Sequence, residues 1–118
     1  MNPEKPLSVV IPVFNEQATI LSIIAKVLNL DVVGEVLVVD DGSRDATGAV
    51  ARSHGAAVVT LPYNMGIGSA VQTGFRYALE HGYETAVRLD GDGQHDAAEL
   101  EALLGPIDRK STRLNSSH

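Results

Sequence analysis

The stretch Leu7–Val13, LSVVIPV, decides how this chain folds. It is short, almost entirely apolar and rich in β-branched residues, a pattern typical of a strand buried on both faces of a parallel sheet. The sequence predicts three further strands of similar character, at 35–40 (EVLVVD), 57–61 (AVVTL) and 85–90 (TAVRLD).

Amphipathic helix patterns alternate with these strands. The first helix is predicted from a cap at Asn15, the second from a cap at Asp45, the third over 68–81 and the fourth from Asp96. Short apolar strands that alternate with helices of about ten residues indicate βαβ units. We therefore expect an α/β fold, with an open, Rossmann-like parallel sheet and helices on both faces.

The composition excludes several classes of protein. The 118 residues include 9 Lys and Arg against 15 Asp and Glu, and the basic residues are scattered, so no nucleic-acid partner is expected. No apolar run approaches the ~18–20 residues of a membrane span, and residues 1–6 lack the features of a signal peptide. The absence of cysteine excludes disulfides and thiolate metal sites. These features predict a cytoplasmic location for the chain.

The C-terminal segment 108–118, DRKSTRLNSSH, differs from the rest of the chain because it is polar and aperiodic. It matches the in-frame translation of a sequencing-library adapter, and we expect it to be a disordered read-through tail. A natural polar tail is the alternative. Residues 1–107 are then expected to be one C-terminally truncated domain, cut just after Pro106.

A polar loop follows each predicted strand. These loops contain FNE (14–16), DDGSRD (40–45), YNMGIG (63–68) and DGDGQHD (90–96). In an open parallel α/β sheet, ligands bind beyond the carboxyl ends of the strands. We therefore expect the four loops to meet around one ligand.

The fourth loop carries the strongest chemical signal. Asp90 and Asp92 are separated by one residue, and two carboxylates this close repel each other unless a cation lies between them. Oxygen ligands of this kind suit Mg²⁺ or Mn²⁺, with Gln94 as a further ligand. Gly91 and Gly93 lack side chains, which would let a diphosphate approach the backbone. An acidic turn is the alternative interpretation.

The other loops leave more alternatives open. Asp41 is expected either to accept a hydrogen bond from a nucleobase or to belong to an Asp-Gly turn. Glu16 is either a first-turn helix charge or a ligand contact. Gly66 and Gly68 lead into a helix N-terminus, whose N–H groups would bind an anion, or they are plain turn residues.

Taken in order, PVFNE (12–16), VVDDGSRDAT (38–47), YNMGIGSAVQTG (63–74) and DGDGQHD (90–96) give the chain a family resemblance. It resembles the N-terminal half of family 2 glycosyltransferases with the GT-A fold, over about residues 7–104. DGDGQH is most similar to the dolichyl- or polyprenyl-phosphate sugar transferases. The resemblance implies metal-dependent, inverting transfer of a sugar from a UDP- or GDP-linked donor, with a polyprenyl phosphate as one candidate acceptor.

The resemblance and the loops together assign candidate site residues. The expected nucleotide-sugar site comprises Pro12, Phe14, Glu16, Val39, Asp41, Gly68, Asp90, Gly91 and Asp92, and the metal ligands are Asp90, Asp92 and Gln94. Phe14 stands where the family often has Tyr, which keeps a stacking face and loses a hydroxyl. No catalytic residue is assigned, because the family's general base and acceptor-binding half lie further downstream. We therefore expect this chain alone to be inactive, and the whole enzyme to associate with the cytoplasmic face of a membrane.

Two alternative functions stay open at this point. A sugar-phosphate nucleotidyltransferase shares the α/β layout, but it needs a glycine-rich, basic loop soon after the first strand. Here that stretch is NEQATI (15–20), which contains neither glycine nor a basic residue. A non-catalytic nucleotide-binding α/β domain is the second alternative.

Overall fold

A computed structural model describes residues 7–91. The elements follow one another as β1 (Leu7–Val13), α1 (Ile20–Leu28), β2 (Val33–Asp40), α2 (Thr47–Ser53), β3 (Ala57–Thr60), α3 (Ile67–Glu80) and β4 (Thr85–Arg88). The strands form one sheet in the order β3-β2-β1-β4, and every neighbouring pair is parallel. The predicted open parallel α/β sheet is therefore confirmed.

Helices cover both faces of this sheet. On one face, α1 and α2 pack against β1 and β2 through a cluster that includes Val9, Ile11, Ile20, Ile23, Ile24, Val27, Val36, Val38 and Ala51. On the other face, α3 covers a second cluster that includes Val10, Leu37, Val39, Ala70 and Ala78. Because β1 has a neighbour on each side and helices on each face, all its residues are buried, as the LSVVIPV pattern predicts.

Helix α3 approaches the sheet most closely at Gly74. A Cβ at this position would lie 2.4 Å from Val10 Cγ1 and 3.0 Å from Val39 Cγ2, so a larger residue would force α3 away from the sheet. This close packing holds the beginning of α3 beside the carboxyl ends of β1 and β2.

The beginning of α1 differs from the prediction. The helix starts at Ile20, with Thr19 as its N-cap, and Asn15 does not cap it. Asn15 instead has φ +53°, a left-handed conformation that asparagine tolerates better than most residues. A single turn bridges the gap, because the N–H groups of Thr19 and Ile20 both donate to the Glu16 carbonyl oxygen at 3.0 Å.

The C-terminal predictions are tested only in part. Strand β4 ends at Arg88, two residues earlier than predicted. The predicted helix from Asp96 and the segment 108–118 lie outside the described residues. None of the helices between residues 7 and 91 has the length and apolarity needed to cross a membrane.

Candidate functional site

A pocket opens at the carboxyl ends of β1 and β2, against the beginning of α3. Its lining residues are Pro12, Val13, Phe14, Glu16, Asp41, Ile67 and Ala70. Most of this lining is apolar, and two carboxylates supply the charged acceptors, which is the usual character of a small-molecule site. Four residues of the predicted nucleotide-sugar site therefore come together here, from the end of β1 and from the loops after β1 and β2.

The loop after β1 is fixed by reciprocal hydrogen bonds to the loop after β2. The Asn15 N–H donates to Ser43 Oγ at 2.8 Å, and Asn15 Oδ1 accepts from the Arg44 N–H at 2.8 Å. The Gln17 N–H donates to Asp45 Oδ2 at 3.4 Å, and Gln17 Oε1 accepts from the Ala46 N–H at 3.0 Å. These two exchanges hold Phe14 and Glu16, which flank Asn15 and line the pocket, in a defined position.

Thr47 ties the same two loops together from the start of α2. Its Oγ1 accepts from the Glu16 N–H at 3.0 Å, and its hydroxyl donates to Asp45 Oδ1. Asp45 Oδ1 also accepts from the Thr47 N–H at 3.0 Å. The N-cap of α2 is nevertheless Ala46, so Asp45 binds the first N–H of the helix from one residue before the cap, and the predicted cap position is wrong by one residue. The hydrogen bond from the Thr47 side chain is the main cause that lowers the pKa of Asp45 below its ordinary value. It does so because it favours the ionised carboxylate.

Asp41 is buried and holds the loop after β3. Its Oδ1 accepts from the Met65 N–H at 2.8 Å, and its Oδ2 accepts from the Gly66 N–H at 3.0 Å. Gly42, with φ +76°, lies against the same loop, since a Cβ there would be 2.5 Å from the Tyr63 carbonyl carbon. Asp41 thus has a structural role, but not the predicted one of an Asp-Gly turn, because its partners lie in the loop after β3. Contact with a nucleobase stays a prediction, and each carboxylate oxygen keeps a second lone pair for it.

Asp90 and Gly91 follow β4 and lie beside the end of β1. The Asp90 side chain is 57% exposed, and its Oδ1 accepts from Arg88 Nη2 at 3.3 Å. A Cβ at Gly91 would lie 2.8 Å from Val13 Cγ1 and 3.2 Å from Ile11 Cγ2. Close packing on β1 therefore explains the glycine, a reason that the sequence analysis missed. The approach of a diphosphate to this backbone stays a prediction.

The predicted metal site is described only through Asp90. Asp92 and Gln94 lie outside the described residues. Within residues 7–91, no three His, Cys, Asp or Glu side chains are grouped so that they would hold a metal ion. The exposed Asp90 carboxylate has the oxygen donors that Mg²⁺ and Mn²⁺ prefer, so it fits the role of one ligand.

Val39 and Gly68 do not line the pocket. Val39 is fully buried beneath α3, in the same cluster as the pocket residue Ala70. Gly68 lies at the beginning of α3, where a Cβ would meet nothing within 4 Å. Ile67 and Ala70, which the sequence analysis missed, form the α3 side of the pocket. The two residues lie on one face of α3, at i and i+3, and Ile67 is the first residue of the helix, one residue before its predicted start.

An open parallel sheet with a carboxylate-bearing pocket at its carboxyl edge defines a Rossmann-like ligand-binding domain. The model of the family "Glycosyl transferase family 2" matches residues 8–115. The chain belongs to this family. The match extends past residue 107, and the domain boundary proposed there stays a prediction.

Individual relatives agree with this assignment. The chain is 35% identical over 114 residues to polyprenol monophosphomannose synthase of Mycolicibacterium smegmatis, covering 92% of this chain and 43% of the relative. It is 35% identical over 103 residues to undecaprenyl-phosphate mannosyltransferase of Micrococcus luteus, covering 83% and 42%. The chain thus spans less than half the length of these curated relatives.

A solved structure supports the fold in more detail. Glucosyl-3-phosphoglycerate synthase of Mycobacterium tuberculosis, in complex with Mn²⁺, UDP-glucose and phosphoglyceric acid, is similar with a TM-score of 0.68 and 33% sequence identity. The similarity covers 86% of this chain and 39% of that one. The synthase has the GT-A fold, so the predicted GT-A type of sheet is confirmed.

Proposed function

We propose that this chain is the nucleotide-sugar-binding half of an inverting, metal-dependent glycosyltransferase. The observation that carries the proposal is the pocket at the carboxyl edge, in which Pro12, Phe14, Glu16 and Asp41 lie together. Family membership supports sugar transfer, and the similar synthase was solved with Mn²⁺ and UDP-glucose. The donor is a UDP- or GDP-linked sugar.

The pocket residues have chemistry suited to a nucleoside. The Phe14 ring is 42% exposed at the pocket and offers a face on which a base stacks. The buried Asp41 carboxylate and the half-buried Glu16 carboxylate accept hydrogen bonds from base N–H and ribose hydroxyl groups. Val39 packs beneath α3 in the same buried cluster as the pocket residue Ala70.

The metal site would be formed by Asp90, Asp92 and Gln94. A bound Mg²⁺ or Mn²⁺ neutralises the charge that develops on the departing diphosphate. The exposed carboxylate of Asp90 lies beside the end of β1 and would supply one oxygen ligand to such an ion. We assign no general base to the chain, which is consistent with its coverage of less than half of its relatives.

The acceptor and the location of the whole enzyme form a second part of the proposal. Two relatives are named for polyprenol or undecaprenyl phosphate substrates, which supports a polyprenyl phosphate acceptor. Such an acceptor is anchored in a membrane, and we place the enzyme in the cytoplasm at that membrane surface. Residues 1–107 would supply the donor-binding domain, and 108–118 an adapter-derived tail.

Calorimetric titration of the chain with UDP and with GDP tests the proposal. We expect binding that strengthens when Mn²⁺ is added and that loses this dependence in Asp92→Ala and Asp90→Ala. Asp31→Ala is the matched control, because Asp31 is exposed before β2, at the opposite edge of the sheet. An affinity that does not change when Mn²⁺ is added would contradict the proposed metal site. The absence of binding to either nucleotide would contradict the proposed donor site.

The same titrations, extended to UTP and GTP, separate the alternatives. A non-catalytic nucleotide-binding domain would bind nucleotide without a role for Asp90 or Asp92. A sugar-phosphate nucleotidyltransferase would bind nucleoside triphosphates more tightly than diphosphates, because the triphosphate is its substrate. Family membership favours the sugar transferase over both.

A further inference from the structure

The Thr19 hydroxyl connects two parts of the site that are distant in sequence. It lies 3.0 Å from Glu16 Oε2, 3.3 Å from the Glu16 carbonyl oxygen and 3.2 Å from the Gly91 carbonyl oxygen. Glu16 lines the pocket, and Gly91 stands between Asp90 and Asp92 in the chain. One side chain at the beginning of α1 therefore contacts both the pocket wall and the loop after β4.

The contact with Gly91 differs in kind from the others. A hydroxyl carries one hydrogen, so Thr19 donates to one of these three oxygens at a time. Both Glu16 oxygens are local acceptors three residues away, whereas the Gly91 carbonyl is 72 residues away. Within the described residues, the last backbone–backbone hydrogen bond between this end of the chain and β1 runs from the Leu89 N–H to the Val10 carbonyl oxygen, at 2.9 Å. Thr19 thus extends the attachment of the loop beyond the sheet hydrogen bonds.

We propose that Thr19 is a positioning residue for the metal-binding loop, an inference that rests on the proposed function. By donating to the Gly91 carbonyl, it fixes the backbone between the two aspartates relative to the pocket. The pocket that would bind the nucleoside and the metal site that would bind the diphosphate are thereby kept at a fixed distance from each other. Thr19 acts through Gly91 and is not itself a ligand of the metal or the sugar nucleotide.

Thr19→Val tests this role, because it removes the hydroxyl while it keeps the branched shape. Thr19→Ser retains the hydroxyl and is the rescue variant. Thr73→Val is the matched control, since the Thr73 hydroxyl donates to the Ser69 carbonyl at 2.8 Å within α3. Thr19→Ala is measured in parallel, so that a folding defect in one variant does not remove the test. Far-UV circular dichroism confirms that each chain is folded.

The readout is the dissociation constant for UDP and for GDP. It is measured by calorimetry in the presence of Mg²⁺ and by NMR titration in the absence of divalent metal. With Mg²⁺, we expect Thr19→Val and Thr19→Ala to weaken binding roughly five- to tenfold, the loss of one hydrogen bond. Without metal, all variants should stay within about twofold of the unaltered chain. Thr19→Ser and Thr73→Val should stay within about twofold under both conditions.

The outcomes separate this inference from the proposed function. Equal weakening with and without metal would place the effect in the pocket, through Glu16, and would overturn the role in the metal loop. Unchanged metal-dependent binding in folded Thr19→Val would overturn it as well. If the unaltered chain binds neither nucleotide, the proposed function fails and this inference fails with it.

Discussion

Replacement of Asp41 by asparagine tests how the pocket is held together. The Asp41 carboxylate accepts two backbone N–H groups, from Met65 at 2.8 Å and from Gly66 at 3.0 Å. An asparagine amide has one oxygen, so one of these N–H groups must face an NH₂ donor. The variant therefore loses one of the two hydrogen bonds and weakens the other, which becomes neutral.

The expected loss of stability follows from these two contacts. A hydrogen bond to a charged group contributes about 1.5–3 kcal/mol, so we expect Asp41→Asn to lower the free energy of unfolding by about 2 kcal/mol. With a urea m-value of about 2 kcal/mol/M, the unfolding midpoint falls by about 1 M. The chain contains no tryptophan, so the transition is followed by far-UV circular dichroism.

Asp40→Asn is the matched control for this measurement. Asp40 and Asp41 are adjacent and equally buried, at 5% exposure each. Asp40 Oδ1 accepts from the Ser43 N–H at 2.9 Å, and an asparagine oxygen is able to keep this hydrogen bond. The control removes the same charge, and we expect it to lower stability by less than about 1 kcal/mol.

A local readout complements the global one. Tyr63 is 65% exposed in the loop that Asp41 holds, and it is a cleavage site for chymotrypsin. We expect Asp41→Asn to be cut after Tyr63 faster than Asp40→Asn under native conditions, because local opening needs less free energy. Equal urea midpoints and equal cleavage rates in the two variants would refute this account of Asp41.

Two further predictions concern packing and pH. Gly74→Ala places a Cβ 2.4 Å from Val10 Cγ1, so we expect a loss of about 1–3 kcal/mol by urea unfolding, whereas Gly68→Ala, with open space around its Cβ, should not destabilise the chain. A Gly74→Ala chain as stable as Gly68→Ala would contradict the packing of α3. Because the folded-state pKa of Asp45 is lowered, its ionised carboxylate contributes stability above the unfolded pKa, and this contribution is lost as pH falls through the folded value. The difference in Tm between the unaltered chain and Asp45→Asn should therefore be full near neutral pH, begin to shrink as the pH falls below about 4 and disappear below the folded-state pKa, and a constant difference would argue against it.

The fold is predictable because burial leaves a strong pattern in this sequence. The run Leu7–Val13 is apolar at every position except Ser8, and the structure buries all of it between two helical layers. Strand and helix types follow from such patterns, whereas boundaries depend on individual hydrogen bonds. Asparagine is a residue type favoured at helix N-caps, yet the side chain of Asn15 accepts a hydrogen bond from the Arg44 N–H in another loop. No local pattern near Asn15 contains that partner.

The site is predictable in its location and less so in its details. The rule that ligands bind beyond the carboxyl ends of strands places Phe14, Glu16 and Asp41 together, as observed. The role of Gly91 and the contacts of Thr19 depend on which atoms of β1 and β4 face each other across the sheet. Thr19 and Gly91 are 72 residues apart in the chain. Periodicity along the sequence does not reveal contacts between segments so far apart.

Four aspartates at this edge differ in their availability to a ligand. Asp40, Asp41 and Asp45 each accept backbone N–H groups of the loops, so their charges stabilise the site's own backbone. Asp90 is different, because its partner is the Arg88 side chain at 3.3 Å on the protein surface. An exposed ion pair of this kind contributes about 0–1 kcal/mol, and a divalent cation would displace it at little cost. The described part of the loop after β4 thus offers an exposed carboxylate, that of Asp90, for the proposed metal site.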